Sequence, residues 1–409
     1  MGRKKKETVD KPAELPKPQG KFLQDIGRDA FTKELDGLIK QISVAFGDNS
    51  IYQPGKHTPL ANLTRISTGN AMLDYDLGGG IPAGRIILVT GPFSAGKTYF
   101  TTKCLGKLTQ MGGRVGVIDE ERTWDPIWAQ KCGVDPDRCW VGSGEYSEKS
   151  MDLAELLVGS GEFDAILVDS LAAMVPKKVL DEAHEDHQMG VEAKLNAKFF
   201  RKLLSAQDLL ERKGKVAPTI FVINQIRKKI GIAYGNPEVL PGGEAQMYYA
   251  SIWMDFRASE TILNKNDDVV GMYFDYNIKK NKTAPPRRKG TVGMFIEDFK
   301  GMHSGDWDFP GSVIDLAVRL GLLVKEGKWY KSALLPKNFM YANLWAKVKA
   351  EPSLERKIVE AVNDMQSNPV KIAYQPRSGD DTSFDEVEEV EDSEEGDDKK
   401  PKKGKKGKK

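Results

Sequence analysis

The sequence predicts an α/β protein in which a mostly parallel β-sheet is covered by helices. Three observations predict this fold class. Apolar, β-branched segments alternate with segments of helical periodicity, which is typical of parallel strands buried on both faces. A glycine-rich turn follows the first apolar segment and precedes a helical one. Polar residues end the later apolar segments. The apolar segments cover residues 85–90, 115–119, 163–170 and 219–225.

The segments between these predicted strands have the apolar spacing of helices. They cover residues 99–110, 126–132, 151–160 and 191–213. In sheets of this kind, ligands bind beside the carboxyl ends of the strands. We therefore expect a functional site where polar residues follow the predicted strands. These residues are Asp119, Glu120, Glu121, Asp169, Asn224 and Gln225.

The turn at residues 91–98 reads GPFSAGKT and fits the phosphate-loop pattern G-x-x-x-x-G-K-[ST]. Its glycines allow backbone N–H groups to surround an anion, and the following helix presents its positive end. Lys97 supplies a charge for the β- and γ-phosphates. The pattern therefore predicts binding of a nucleoside triphosphate. The predicted binding residues are Gly91, Pro92, Phe93, Ser94, Ala95, Gly96, Lys97, Thr98 and Tyr99.

Two side chains predict a magnesium site next to this loop. Thr98 offers a hydroxyl, and Asp169 ends a buried strand with a carboxylate that can orient a metal-bound water. Hydrolysis also needs a carboxylate that orients the attacking water. Glu120 and Glu121 end another predicted strand, and only one of them can face the site because strand side chains alternate. The pattern alone leaves this choice open.

Composition limits where and how the protein works. The chain has 409 residues, 40% of them hydrophobic, and a net charge of +2, so a nucleic-acid surface must be local. The N-terminal residues lack the apolar stretch of a signal peptide, and no apolar run is long enough for a membrane span. Three cysteines without metal-like spacing indicate reduced thiols. We expect a cytoplasmic protein.

Shifts in composition divide the chain into five segments. Residues 1–20 form a basic arm and residues 376–409 an acidic and then lysine-rich tail, both expected to be disordered because dense like charges do not fold. Residues 21–60 contain an amphipathic helix, which either docks on a neighbouring subunit or folds onto its own core. Residues 61–307 form the α/β core, and residues 308–375 a small α/β domain.

Several collinear motifs resemble the bacterial RecA recombinase family in order and spacing. The resemblance runs from about residue 66 to residue 330 and implies a RecA-type phosphate-loop ATPase core with an N-terminal helical arm. No single motif is as specific as the series. The motifs cover residues 91–98, 118–121, 125–128, 168–170, 223–227, 235–238, 249–251 and 280–282.

The resemblance implies roles for particular residues. Alignment on Asp125 makes Glu121 the glutamate that activates water, and Asp125 joins the nucleotide-binding set. Trp128 stands where the family keeps a tyrosine on the adenine. Gln225 would sense the γ-phosphate. Two further residues, Lys280 and Lys282, would reach the ATP of the next protomer; without the resemblance, they read as a solvated basic loop.

The resemblance also implies two DNA-binding loops, at residues 180–190 and 228–243. Apolar tips would wedge between base steps while basic side chains hold phosphates. Met189 and Ile230 are the expected wedges. The remaining expected DNA-binding residues are Gly190, Lys194, Arg201, Arg227, Lys228, Lys229, Gly242 and Gly243.

The implied function is that of a homologous-recombination ATPase. With ATP and Mg²⁺ bound between protomers, it would form a helical filament on single-stranded DNA, pair with a homologous duplex and exchange strands. Two alternatives belong to other classes: a ring-forming DNA helicase of the same ATPase superfamily, and a non-catalytic coat protein of single-stranded DNA. The collinear motif at residues 235–238 disfavours the helicase, and the presence of both Glu121 and Gln225 disfavours the coat protein.

Overall fold

A computed structural model describes residues 33–47, 50–51, 63–181, 190–228 and 238–365. Within them the helices are α1 Lys33–Phe46, α2 Ala71–Leu77, α3 Lys97–Gln110, α4 Pro126–Lys131, α5 Ser147–Ser160, α6 Lys177–Asp181, α7 Val191–Arg212, α8 Ala245–Tyr249, α9 Phe309–Arg319, α10 Tyr341–Ala350 and α11 Pro352–Met365. The strands are β1 Arg65–Ile66, β2 Ile81–Pro82, β3 Ile86–Gly91, β4 Val115–Asp119, β5 Cys139–Gly142, β6 Ala165–Asp169, β7 Thr219–Gln225, β8 Arg227–Lys228, β9 Glu238–Val239, β10 Ile252–Leu263, β11 Val269–Asn281, β12 Lys289–Phe295, β13 Val324–Glu326, β14 Trp329–Lys331 and β15 Phe339–Met340.

The central sheet has eight strands in the order β12-β11-β10-β3-β7-β6-β4-β5. Six neighbouring strands, from β10 to β5, run parallel, and β11 and β12 are added antiparallel at one edge. The predicted fold class is therefore confirmed. The predicted strands at 85–90, 115–119, 163–170 and 219–225 correspond to β3, β4, β6 and β7. The long antiparallel strands were not predicted, because the second half of β10 is exposed and polar residues interrupt the apolar ones along β11.

The hydrophobic core lies on both faces of this sheet. Along β3, Ile87 and Val89 belong to one buried cluster, together with Phe100 of α3. Leu88, between them, belongs to a second cluster together with Phe200 of α7. This alternation is the two-residue period of a strand covered on both sides. It places α3 and α7 on opposite faces of the sheet. The loop between β3 and α3 lies at the carboxyl edge of the sheet because it directly follows the end of β3.

The segment after residue 307 contains the antiparallel sheet β13-β14-β15 and helices α9 to α11. Its buried side chains, such as Val313, Leu344 and Ile358, continue the cluster that contains Phe100. Helix α9 begins at Phe309, where Asp308 caps it by accepting a hydrogen bond from the Gly311 N–H.

Helix α1 leaves most of its apolar side chains exposed. Leu38, Val44 and Phe46 are 51%, 89% and 64% exposed, and Arg212 of α7 donates a hydrogen bond to the Phe46 carbonyl at 3.4 Å. The interpretation that this helix folds onto its own core does not hold for these side chains. Among the helices of the described ranges, none combines the length and the apolar character that a membrane span requires.

Candidate active site

The phosphate loop has a backbone that only glycine tolerates at two positions. Gly91 has a φ of 157° and Gly96 a φ of 81°. A Cβ atom on Gly91 would lie 2.3 Å from the Phe256 carbonyl oxygen, and one on Gly96 would lie 2.8 Å from the Phe274 ring. Strands β10 and β11 therefore pack directly against the loop, through Phe256 and Phe274. This support holds the loop in one shape, which an anion-binding site requires.

We expect Gly96→Ala to weaken nucleotide binding by about tenfold or more, because the added methyl group meets a buried ring and requires a left-handed backbone. Binding of a fluorescent ATP analogue measures the change. Gly112→Ala is the matched control, since Gly112 also has a positive φ, of 91°, but no atom lies within 4 Å of the position that its added methyl group would take. Equal affinity of the Gly96 and Gly112 variants would contradict the steric explanation.

Lys97 lies inside the loop, with its side chain turned back onto the backbone. Its ammonium group donates a hydrogen bond to the Pro92 carbonyl at 2.6 Å, and the residue is 7% exposed. Burial lowers the pKa of Lys97, while the carboxylates of Asp169, Glu121 and Asp255 oppose this effect. The site thus contains a confined cation with acidic groups around it, and it fits a polyphosphate that carries its own metal ion.

The predicted magnesium residues are in contact. The Thr98 hydroxyl donates a hydrogen bond to Asp169 Oδ2 at 2.8 Å, and Asp169 is paired in register with Asp119 across β6 and β4. Burial, followed by the charges of Glu121 and Asp119, raises the pKa of Asp169 to about 7. A divalent cation would relieve this repulsion. Mg²⁺ takes oxygen ligands and is usually bound through one or two carboxylates together with substrate phosphates, which the Thr98 hydroxyl and the Asp169 carboxylate fit.

The two candidate glutamates face different neighbours. Glu121 Oε1 accepts hydrogen bonds from Gln225 Nε2 and from the Ser170 hydroxyl, each at 2.7 Å. Glu120 Oε1 instead accepts a hydrogen bond from the Ser150 hydroxyl at 2.6 Å. Of the two side chains, that of Glu121 therefore contacts Gln225 and Ser170 at the strand ends, whereas that of Glu120 points to α5. Ser170 was not predicted as a site residue, although its position directly after Asp169 was a signal for it.

The residues near the expected adenine site, Asp125, Trp128 and Tyr99, differ in what they can offer a nucleotide. Asp125 caps α4, accepting hydrogen bonds from the Ile127 and Trp128 N–H groups, which fixes the half-buried Trp128. Tyr99 is 5% exposed; its hydroxyl donates to the Gly305 carbonyl, and its ring packs edge-on against Trp307. The Tyr99 side chain is thus a core residue. What it can offer a phosphate is its backbone N–H in the first turn of α3.

Lys280 and Lys282 lie away from the phosphate loop of their own protomer. The Lys282 N–H donates to the Ser251 carbonyl, and the Ser251 N–H donates to the carbonyl of Ile86, where β3 begins. The loop leaves from the other end of β3, about 17 Å from this level at 3.3 Å per residue. Lys280 pairs with Trp253, which is in register with Leu88 in the middle of β3, and its ammonium group donates to the Met247 and Tyr248 carbonyls at 2.6 and 2.9 Å.

Comparison with known proteins decides which family shares this arrangement. A family model described as the RecA N-terminal domain matches residues 33–300. The chain belongs to the RecA family. It is 35% identical to Protein RecA of Leptospira meyeri over 365 residues, covering 87% of this chain and 89% of that one. It is 39% identical to Protein RecA of Bacillus licheniformis over 300 residues, covering 72% and 81%.

Membership of the RecA family establishes the activity of the chain. The chain is a DNA-dependent ATPase that uses ATP with Mg²⁺, binds single-stranded and double-stranded DNA, forms filaments and promotes strand exchange. The recombinase is therefore favoured over the ring-forming helicase and the non-catalytic coat protein. The roles of individual residues remain predictions.

The first of the two expected RecA DNA loops leads into α7. Gly190 precedes this helix with a φ of 95°, and Lys194 and Arg201 are exposed on it, two turns apart. Met189, the expected wedge, lies outside the described residues.

The second expected loop begins in β8, which pairs antiparallel with β9 in the later part of the loop. Arg227 and Lys228 are exposed at its start, and Gly242 and Gly243 have positive φ values at its end. Lys229 and Ile230 lie outside the described residues. Glu238 of β9 forms a bidentate ion pair with Arg257 of β10, at 2.6 and 2.7 Å. The sequence analysis missed this pair because its members are 19 residues apart and no local pattern connects them.

Proposed function

We propose that the ATP site of this recombinase is completed by a second protomer, whose Lys280 and Lys282 face the phosphate loop. The observation that carries this proposal is that neither lysine contacts its own loop: Lys282 lies level with the start of β3, and the Lys280 ammonium group is bound to the Met247 and Tyr248 carbonyls. Their charges would stabilise the negative charge that develops on the phosphates during hydrolysis. Hydrolysis would then depend on filament assembly.

Within one protomer, Glu121 orients the attacking water and accepts its proton. Lys97 holds the β- and γ-phosphates, and Thr98 and Asp169 hold Mg²⁺, which when bound neutralises phosphate charge. The Gln225 amide can bind either Glu121, as it does here, or the γ-phosphate of ATP. When the amide turns to the γ-phosphate, its hydrogen bond to Glu121 would break. This exchange would connect the state of the nucleotide to the loop that begins at Arg227.

Basic side chains on the two loops would hold the phosphates of single-stranded DNA without reading its sequence. For the described residues, the proposal rests on the exposed cations Lys194, Arg201, Arg227 and Lys228. We also infer a cytoplasmic location, which the free thiols of Cys104, Cys132 and Cys139 support, since reduced cysteines are typical of that compartment.

Mixing two inactive variants tests the shared site. Glu121→Gln damages the loop side of the interface, whereas a Lys280→Ala, Lys282→Ala double variant damages the other side. In an equal mixture that assembles randomly, about one quarter of the interfaces combine the two intact sides. We therefore expect DNA-dependent ATP hydrolysis to recover to about that fraction of the wild-type rate.

The matched control mixes Glu121→Gln with Gln225→Ala, two changes on the same side of the interface. No interface in that mixture is intact, so no recovery is expected. Sedimentation with labelled variants verifies that each pair enters common filaments. If common filaments form and the first mixture stays as inactive as the control, the lysines do not act across the boundary.

A further inference from the structure

Three buried side-chain amides surround the turn at residues 241–243, where the second expected DNA loop ends. This amide cluster consists of Asn196 of α7, Asn224 of β7 and Gln246 of α8, which are 5%, 0% and 0% exposed. None of the three has a role in the mechanism proposed above. We infer that Gln246 and Asn196 are positioning residues, which hold the end of this loop against the strand that carries Gln225.

The cluster binds three consecutive backbone carbonyls. Gln246 Nε2 donates to the carbonyls of Pro241 and Gly243, at 2.7 and 2.8 Å, and Asn196 Nδ2 donates to that of Gly242 at 3.1 Å. Asn224 Nδ2 donates to the Pro241 carbonyl at 3.0 Å and to Gln246 Oε1 at 2.7 Å. Each carbonyl of the turn therefore has a buried amide partner, which selects one conformation of the turn.

The same turn is pressed against the helix that follows the first DNA loop. A Cβ atom on Gly242 would lie 1.9 Å from Asn196 Nδ2, and one on Gly243 would lie 2.8 Å from the Ala193 Cβ. Helix α7 begins at Val191, directly after the first loop. The beginning of α7 and the end of the second loop are therefore in direct contact.

The cluster also reaches the nucleotide side of the molecule. Asn224 Oδ1 accepts a hydrogen bond from the backbone N–H of Gln225 at 2.9 Å, and the Gln225 side chain bonds Glu121. A continuous set of hydrogen bonds thus runs from Glu121 through Gln225 and Asn224 to Gln246 and the turn. This set is a physical route by which the state of the nucleotide site can bias the loop.

The inference rests on the proposed DNA contact of the second loop. Gln246→Leu keeps the side-chain volume but leaves the Gly243 carbonyl without its amide partner and the Pro241 carbonyl with that of Asn224 alone. We expect the ratio of DNA-stimulated to DNA-independent ATP hydrolysis to fall about tenfold, because ATP and DNA binding become uncoupled. Hydrolysis without DNA should stay within about twofold of the wild type, since the change lies outside the phosphate site.

Gln207→Leu is the matched control. Gln207 is 4% exposed on the same helix, α7, and its amide donates to the Pro218 carbonyl at 2.8 Å, away from both loops. Its replacement removes the same kind of buried hydrogen bond, so it reports the purely structural cost. Asn196→Leu tests the same turn from α7 in case Gln246→Leu does not fold, and it should also lower the ratio.

The outcomes separate this inference from the proposed function. A lowered ratio in the Gln246 or Asn196 variant, with a wild-type ratio in the Gln207 variant, supports the inference. If Arg227→Ala and Lys228→Ala weaken single-stranded DNA binding while the cluster variants keep the wild-type ratio, the inference alone is wrong. Equal loss in the Gln207 and Gln246 variants also overturns it. If neither Arg227→Ala nor Lys228→Ala weakens DNA binding, the second loop does not contact DNA, and both the proposed contact and the inference that rests on it are wrong.

Discussion

Glu121→Gln should lower DNA-dependent ATP hydrolysis by about 10²–10³-fold while ATP and DNA are still bound. The glutamine has nearly the shape of the glutamate, and its carbonyl oxygen can still accept hydrogen bonds from Gln225 and Ser170. It cannot accept a proton from the attacking water at neutral pH. Phosphate release with and without single-stranded DNA measures the rate, and filament assembly by light scattering measures binding.

The neighbouring Glu120→Gln variant is the control for this experiment. Glu120 has the same charge, but it accepts hydrogen bonds from the Ser150 hydroxyl and the Gly144 N–H, away from Gln225. We expect its rate to stay within about threefold of the wild type, because the change does not touch the site. A large loss of rate in the Glu120 variant with a normal rate in the Glu121 variant would mean that Glu120, and not Glu121, activates the water.

Asp76→Ala should lower the free energy of unfolding by about 3–5 kcal/mol, the largest stability loss that we expect from a single change. The carboxylate is 0% exposed, and both of its oxygens lie 2.7 Å from Arg319 Nη1. Oδ2 also accepts a hydrogen bond from the Tyr276 hydroxyl at 2.7 Å, and Arg288 lies 3.5 Å from Oδ1. Removing Asp76 leaves these cationic groups near the core without their counter-charge. Urea unfolding followed by circular dichroism measures the change.

The control for this prediction is an exposed aspartate on β11. Asp275 accepts a hydrogen bond from the Thr291 hydroxyl at 2.7 Å, and its replacement by alanine should cost less than about 1 kcal/mol because solvent replaces the lost contact. A double variant, Asp76→Ala with Arg319→Ala, should lose less than the sum of the single losses, because it removes both charges. Additive losses would mean that the pair does not interact.

Local patterns were enough to predict the centre of the fold. Residues 91–98 are a contiguous motif, and the strands at β3, β4, β6 and β7 are continuous apolar segments that no exposed structure would carry. Because parallel strands end at the same edge, Thr98 and Asp169 could be expected to meet although they are 71 residues apart. The long strands β10 and β11 were missed because β10 has a buried and an exposed half, and polar residues interrupt the apolar ones along β11.

The sequence by itself thus determined the phosphate loop, the parallel sheet and the residues able to bind a nucleotide and Mg²⁺. These features depend on the order of neighbouring residues, which periodicity and motifs record. The residue pattern left Glu120 and Glu121 open, and the tertiary structure shows that the side chain of Glu121 contacts Gln225, whereas that of Glu120 contacts Ser150. It also shows that the Lys280 ammonium group is bound to the Met247 and Tyr248 carbonyls rather than to its own phosphate loop. It alone brought Asn196 and Gln246 onto one turn, because contacts between distant segments depend on how the strands pair and the helices pack.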